Sequence, residues 1–340
     1  MRLSIEHRTR YCYRGPVTLL PHRLMLSPRA GHTVTPVSAS ISCTPEARLL
    51  WTQDLFGNLI ATASFEAPAD ELVILGQAVV DLTASEWPVF EVDPSAHSYP
   101  FAYSLDDVID LGRLSQPDWL DPDASSIAPW AQAFGQATSD TLSLLKLVNS
   151  SIQQSIAYRV RDEEGTQSPQ ETLSLASGSC RDIAALFIEA VHHLGFGARA
   201  VSGYLYDAAL SDGSEGSTHA WAEVYLPAAG WIAFDPTHGR VGGANLIPVG
   251  VARSIRQIMP IAGGYLGNAE DAGTMEVAVR VTEIATEPTA SGIVAPVGRC
   301  VHASQDLNQL PLPGVDRRPP HGCRSTDGAG QSSPTKRICG

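Results

Sequence analysis

Residues 178–183, Gly-Ser-Cys-Arg-Asp-Ile, open the segment that decides the fold. The apolar residues that follow recur at steps of three and four, which is the spacing of a helix with one apolar face. They are Ile183, Leu186, Phe187, Ala190, Val191 and Leu194. Ser177 or Ser179 supplies an N-terminal cap, and Gly195 ends the helix. Cys180 is therefore expected in the first helical turn, where the helix dipole favours a thiolate.

Two short strands are predicted downstream of this helix. Residues 218–226 alternate between the two faces of a strand, with His219 near the start, and residues 230–236 form a second apolar run that ends at Asp235 and a proline. The residues between them, 227–230, have the composition of a hairpin turn. An antiparallel hairpin would bring His219 close to Asp235, and the helix must pack on this sheet to bury its apolar face.

Cys180, His219 and Asp235 together have the chemistry of a catalytic triad. A thiol acts as the nucleophile, an imidazole takes its proton, and a carboxylate fixes the tautomer of the imidazole. Each residue also has an ordinary alternative: an inert core cysteine, a hydrogen-bonded histidine at a strand start, and an aspartate that forms a turn. Their combination favours the catalytic interpretation.

Two stretches carry a resemblance to a known family. Residues 178–206 read GSCRDIAALFIEAVHHLGFGARAVSGYLY, and residues 217–239 read STHAWAEVYLPAAGWIAFDPTHG. In motif and order they resemble the transglutaminase-like superfamily of papain-fold cysteine enzymes. Residues 3–17, LSIEHRTRYCYRGPV, resemble the N-terminal region of bacterial members, and residues 265–282 resemble the closing strand of the family. The resemblance therefore covers residues 1–285.

The resemblance implies a role for each residue of the triad. Cys180 would be the nucleophile, His219 the general base and acid, and Asp235 the carboxylate that orients the imidazole. The chain would be a thiol-dependent acyl-transfer enzyme that forms a thioester from a peptide or amide bond. Release to water would make it a protease or amidase, and release to an amine a transglutaminase. A non-catalytic peptide-binding or scaffold module on the same fold is the alternative, although such modules usually lack a member of the triad.

The expected fold is α+β, with an N-terminal antiparallel β-sandwich followed by a papain-like core in which the Cys180 helix packs on an antiparallel sheet. Alternating residues from Leu3 to Tyr13 share one face, and further strands are predicted at 23–26, 37–43, 58–65 and 72–82. The predicted divisions are a sandwich over 1–85, a proline-rich ordered connection over 86–135, the catalytic core over 136–285 and a tail over 286–340.

The core is expected to begin with a helix capped near Ser139 or Asp140, and residues 157–178 are expected to form a loop that leads into Cys180. Trp221, Tyr204 and Tyr206 are candidates for the wall of the cleft. Core packing is the alternative for all three and the expectation for Trp221.

Composition limits the partners and the location. The net charge of −13 argues against a nucleic-acid surface or an anionic membrane as partner, and no apolar run is long enough to span a membrane. The first eight residues are charged rather than typical of a secretory signal, and the six cysteines lack the spacing of a disulfide framework. We therefore expect a cytoplasmic protein whose partner is a peptide or protein amide substrate. No cofactor and no metal ion are expected, since no calcium-loop pattern is present.

The tail over 286–340 loses all apolar periodicity and is rich in Pro, Gly, Ser, Asp and Arg. Such a composition predicts disorder. The tail also contains Cys300, His302, His321 and Cys323, but their CxH and HxC spacings do not match the usual gaps between zinc ligands. A solvated tail with incidental cysteines is the prediction.

Overall fold

A computed structural model describes residues 1–85, 88, 90–119, 127–161, 165–208, 218–285 and 338–339. Met1–Ala285 and residues 338–339 belong to one compact unit. Apart from residues 338–339, the tail for which disorder is predicted lies outside the described residues. None of the described helices is long and apolar enough to cross a membrane.

The described elements are mostly strands. The helices are α1 Leu105–Leu111, α2 Ile127–Gly135, α3 Thr141–Ser155, α4 Pro169–Leu175 and α5 Cys180–His193. The strands are β1 Arg2–Leu19, β2 His22–Leu24, β3 Val34–Thr44, β4 Arg48–Gln53, β5 Leu59–Ser64, β6 Ala69–Leu82, β7 Ala157–Tyr158, β8 Ser177–Gly178, β9 Ala198–Leu205, β10 Thr218–Leu226, β11 Gly230–Asp235, β12 Arg240–Val241, β13 Leu246–Ala252, β14 Ile261–Gly263, β15 Tyr265–Leu266, β16 Ala272–Ile284 and β17 Ile338–Cys339.

The N-terminal strands build two antiparallel sheets. One has the order β15-β1-β6-β3 with β16 also on β1, and the other has the order β17-β14-β2-β5-β4. Leu3, Ile5 and Tyr11 on alternate positions of β1 are buried, as the sequence pattern predicts. Side chains from both sheets form one apolar cluster, for example Leu72 and Ile74 of β6 with Ala61 and Ala63 of β5, which makes this part a β-sandwich.

The sandwich also takes up strands from the far end of the described chain. β16 pairs with β1 from Arg2↔Ile284 to Tyr13↔Ala272. The sequence prediction assigned this segment to the end of the catalytic core. The structure places it beside the first strand, because both strands are long and their alternating apolar faces match, with Ile5 opposite Val281.

The core is a helical layer on a third antiparallel sheet, of order β12-β11-β10-β9-β13. Most of the buried apolar side chains of α5 and the alternate β10 residues Ala220, Ala222 and Val224 belong to one hydrophobic cluster. The ring of Phe187 on α5 stacks on Phe234 of β11, with centroids 5.4 Å apart. The predicted combination of a sandwich with a Cys180 helix on an antiparallel sheet is therefore confirmed.

Two other predictions about local structure have different outcomes. The helix predicted after Ser139 is present as α3, with Asp140 accepting a 2.7 Å hydrogen bond from the N–H of Ser143. The predicted loop over 157–178 instead contains α4, because Ser168 and Glu171 form a reciprocal cap around Pro169, which suits the first helical position. The signal was present in the sequence as Ser-Pro-Gln-Glu.

Gly203 on β9 is required by close packing. A Cβ there would collide with the carbonyl oxygen of Ile247 and lie 2.9 Å from the ring of Trp221. We expect Gly203→Ala to lower the free energy of unfolding by roughly 1–3 kcal/mol, because the backbone of β13 must move. Gly15→Ala on β1 is the matched control, since no atom lies within 4 Å of its added Cβ. Urea denaturation of both variants checks this, and equal midpoints for the two would contradict it.

Candidate active site

Cys180 is the first residue of α5, and its side chain is half-buried. The N–H groups of the first helical turn have no partner within the helix, so they are available near the thiol. Asp182, two residues on, accepts hydrogen bonds from the N–H and the hydroxyl of Ser179, both at 2.8 Å. These bonds fix the backbone that enters the helix at Cys180.

His219 and Asp235 lie at neighbouring ends of the β10–β11 hairpin. The Nε2 atom of His219 is 2.9 Å from Oδ2 of Asp235, and both side chains are almost fully buried. An ionised carboxylate only accepts hydrogen bonds, so Nε2 carries the proton and Nδ1 is the ring nitrogen left for another partner. The ring of His219 also stacks on Trp221, with centroids 6.0 Å apart.

The charges around His219 favour its protonated form. Burial alone would lower the pKa of His219, but the hydrogen bonds and charges of Asp235 and Cys180 outweigh burial and raise that pKa to about 10. Burial would likewise raise the pKa of Asp235, yet the hydrogen bonds of His219 and His238 hold it well below the usual range of a carboxyl group. The structure thus brings the three predicted site residues into one electrostatic group.

His238 is a fourth member of this group, and the sequence analysis did not assign it. Its Nδ1 atom is 2.7 Å from Oδ2 of Asp235, which is the same oxygen that bonds His219. The backbone N–H groups of Thr237 and His238 donate to the other oxygen, at 3.1 and 3.4 Å. The only signal in the sequence is position, since His238 follows Asp235 by three residues.

Asp182 is the second feature that sequence reasoning did not identify. Its carboxylate is fully buried and contacts Nη1 of Arg161 at 2.9 and 3.0 Å, while the N–H of Gln167 donates to it at 2.7 Å. Arg161 neutralises a carboxylate that would otherwise stand close to the thiol. A Cβ on Gly178 would lie 2.8 Å from Cβ of Asp182, so this close approach requires glycine.

A cleft of about 270 Å³ opens at Cys180 and His219. Both parts of the fold line it: His7, Thr9, Met275 and Val277 come from the β1–β16 pair, and Tyr158, Val160, Ile255, Ile258 and Met259 come from the core and its connections. Burial and the negative charge of Cys180 raise the pKa of Tyr158, against an opposing effect of Arg181. Trp221 and Tyr204 are buried in the protein interior, as expected for Trp221.

One group of described side chains could hold a metal ion. The ligand atoms of His219, Asp235 and His238 all lie within 4.8 Å of one another. In the structure both imidazoles instead donate protons to one carboxylate oxygen. The absence of a metal therefore stays a prediction.

Two regions of the chain match known protein families. Residues 3–81 match the bacterial transglutaminase-like N-terminal region, and residues 128–236 match the core of the transglutaminase-like superfamily. The chain belongs to the transglutaminase-like superfamily.

Two relatives cover most of the chain. An uncharacterized protein of Mycobacterium leprae is 26% identical over 290 residues, which are 84% of this chain and 99% of the relative. A Cytophaga hutchinsonii structure, described provisionally as a cysteine protease, has a TM-score of 0.65 at 18% identity and covers 85% of this chain and 93% of its own. This likeness shows that the fold is shared.

We expect Asp182→Asn to lower the free energy of unfolding by about 3 kcal/mol, because Arg161 loses its buried partner and the new amide group faces N–H donors. Asp140→Asn is the matched control, since Asp140 caps α3 at the surface and asparagine caps equally well. Chemical denaturation of the two variants checks this. A loss that is no larger for Asp182→Asn than for Asp140→Asn would contradict it.

Proposed function

We propose that the chain is a thiol-dependent acyl-transfer enzyme that acts on peptide or amide bonds. The observation that carries the proposal is the buried His219–Asp235 hydrogen bond, with the pKa of His219 raised jointly by Asp235 and Cys180. Membership of the superfamily supports a thiol enzyme in general terms. The three residues would act as nucleophile, general acid and base, and orienting carboxylate.

The first half of the reaction forms a thioester. The Cys180 thiolate attacks the carbonyl carbon, an S–C bond forms, and an electron pair moves to the carbonyl oxygen. His219 then gives its proton to the leaving amine as the C–N bond breaks. Asp235 holds the ring through Nε2, which leaves Nδ1 as the nitrogen that exchanges this proton.

The second half releases the acyl group. Water or an amine attacks the thioester carbon, His219 accepts a proton from it, and the Cys180 thiolate leaves. Hydrolysis and amine transfer share every earlier step, so the triad supports both outcomes. Supplying purified protein with dimethylcasein and a fluorescent primary amine separates them, because only amine transfer attaches the fluorophore to casein.

The negative oxygen formed during attack needs hydrogen-bond donors. The N–H of Cys180 at the start of α5 is one donor. Tyr158 supplies the second in this proposal. It lines the cleft, β7 pairs it with Gly178 just before the nucleophile, and the charge of Cys180 contributes to the raised pKa of its phenol.

A non-catalytic binding module on the same fold is the competing function. The apolar side chains that line the cleft, including Val160 and Met275, would suit peptide binding without chemistry. An unreactive Cys180 would favour this alternative. The cytoplasmic location and the lack of nucleic-acid and membrane partners stay predictions of the sequence.

We expect iodoacetamide to alkylate Cys180 faster than the other cysteines at neutral pH, and Cys180→Ala to abolish turnover of amide substrates with the fold intact. Cys43 is an internal control, because burial raises its pKa to about 11 and keeps it a thiol. Peptide mapping by mass spectrometry measures each site. Equal labelling of Cys180 and Cys43, or retained turnover in a folded Cys180→Ala protein, would rule out Cys180 as the nucleophile.

We expect Asp235→Asn to move the acid limit of Cys180 alkylation to higher pH. Without the carboxylate, burial dominates and lowers the pKa of His219, so the imidazolium that stabilises the thiolate is missing near neutral pH and Cys180 keeps its proton to higher pH. Turnover should fall by roughly 10⁴-fold, since an amide favours the wrong tautomer. The rate of alkylation measured from pH 5 to 11 checks this, and an unchanged limit would argue against the pair.

We expect Tyr158→Phe to slow acylation by roughly 10²-fold, which is the usual cost of losing one oxyanion donor. Alkylation by iodoacetamide should change little, because displacement of iodide creates no oxyanion. The ratio of p-nitrophenyl acetate burst rate to alkylation rate checks this, with Tyr206→Phe as control. Equal losses in both reactions would show that Tyr158 acts on the thiol instead.

A further inference from the structure

The side chain of His238 binds the group that is expected to orient the catalytic imidazole. Its Nδ1 atom lies 2.7 Å from Oδ2 of Asp235, and its ring centroid is 5.2 Å from that of His219. Because the carboxylate only accepts, Nδ1 of His238 carries a proton, as Nε2 of His219 does. One oxygen therefore accepts hydrogen bonds from two imidazoles.

The other oxygen of Asp235 is already held in place. The backbone N–H groups of Thr237 and His238 donate to Oδ1, so the orientation of the carboxylate does not depend on the His238 ring. What the ring changes is the share of negative charge on Oδ2 that is available to His219. A second donor on the same oxygen weakens its attraction for the first proton.

We propose that His238 is a positioning residue that competes with His219 for Oδ2 of Asp235 and so limits how strongly the carboxylate stabilises the imidazolium of His219. The proposal rests on the proposed function, in which Nδ1 of that imidazolium must release its proton to the leaving amine. A general acid works best when its pKa is near the working pH. A residue that limits the rise in the pKa of His219 would therefore speed acylation.

The ring of His238 lies between the buried pair and the solvent. Among the described residues, the titratable groups recorded against it are Asp235 and His219. Its side chain is 36% exposed, so water can approach from one side. A substitution that removes the donor but keeps a ring of similar size is needed, because water could otherwise replace the lost hydrogen bond.

The test compares His238→Phe with His238→Asn. Phenylalanine keeps the ring and removes the donor, whereas the amide of asparagine can take the place of Nδ1. Two quantities are measured in the full chain from pH 6 to 11: the pKa of His219 by NMR of histidine labelled in the ring nitrogens, and the alkaline limit of kcat/KM for an amide substrate, which reports the general acid. His193→Asn is the control for loss of a histidine elsewhere.

In His238→Phe we expect both quantities to rise by about half to one pH unit, which corresponds to the loss of one hydrogen bond. His238→Asn should match the parent, and kcat for an amide substrate should fall in the Phe variant while KM is retained. If the ring of His238 only supported the structure, His238→Phe would have the opposite effect. The carboxylate of Asp235 would then be displaced, and the pKa of His219 would fall.

An unchanged or lowered pKa in a folded His238→Phe protein overturns the proposal, as does an equal shift in His238→Asn. If the Phe variant does not fold, His238→Ala tests the same direction of change with a smaller expected shift, since water enters. The NMR measurement needs no turnover, so it still decides the role of His238 if Cys180 of the parent proves unreactive. In that case the proposed function fails separately.

Discussion

Burial of α5 against the β9–β10 strands is the constraint on which the rest of the site depends. Every residue from Asp182 to His192 is buried, including three that are polar: Asp182, Glu189 and His192. A helix so enclosed is stable only if these groups find partners. Arg161 binds Asp182, the N–H of Asp118 binds Glu189 at 3.0 Å, and the Leu114 carbonyl accepts from His192 at 2.9 Å. The connections before the helix therefore hold it, and with it the thiol.

The sequence predicts the elements whose signals are local. The apolar stripe of α5, the hairpin from Thr218 to Asp235 and the alternation along β1 all appear as expected, because each is set by periodicity over a few residues. The site follows from two of them, since hairpin pairing brings His219 to Asp235 and helix packing brings Cys180 to His219. The distances within the site and the tautomers of its imidazoles could be obtained only from the structure, because residue identity determines neither.

The features that the sequence analysis did not predict depend on long-range contacts or on local signals that it did not use. The cap of α4 at Ser168 could have been predicted from its local sequence. Nothing in the sequence distinguishes Arg161 from other loop arginines, because its partner Asp182 lies 21 residues later in the chain. By its position in the sequence, His238 is an ordinary loop histidine. What distinguishes it is that it shares an oxygen of Asp235 with His219, which is a property of geometry and not of spacing.

The sandwich does more than precede the core, because it supplies one wall of the cleft. Thr9 on β1 pairs in register with Val277 on β16, and both line the opening beside Cys180, although 268 residues separate them in the chain. His7 also lines it, and burial lowers the pKa of His7 to about 4, so this wall is neutral at physiological pH. With this wall uncharged, Asp235 and Cys180 are the groups whose charges and hydrogen bonds raise the pKa of His219. The two ends of the described fold thus meet where the chemistry is expected, and a substrate must fit between them.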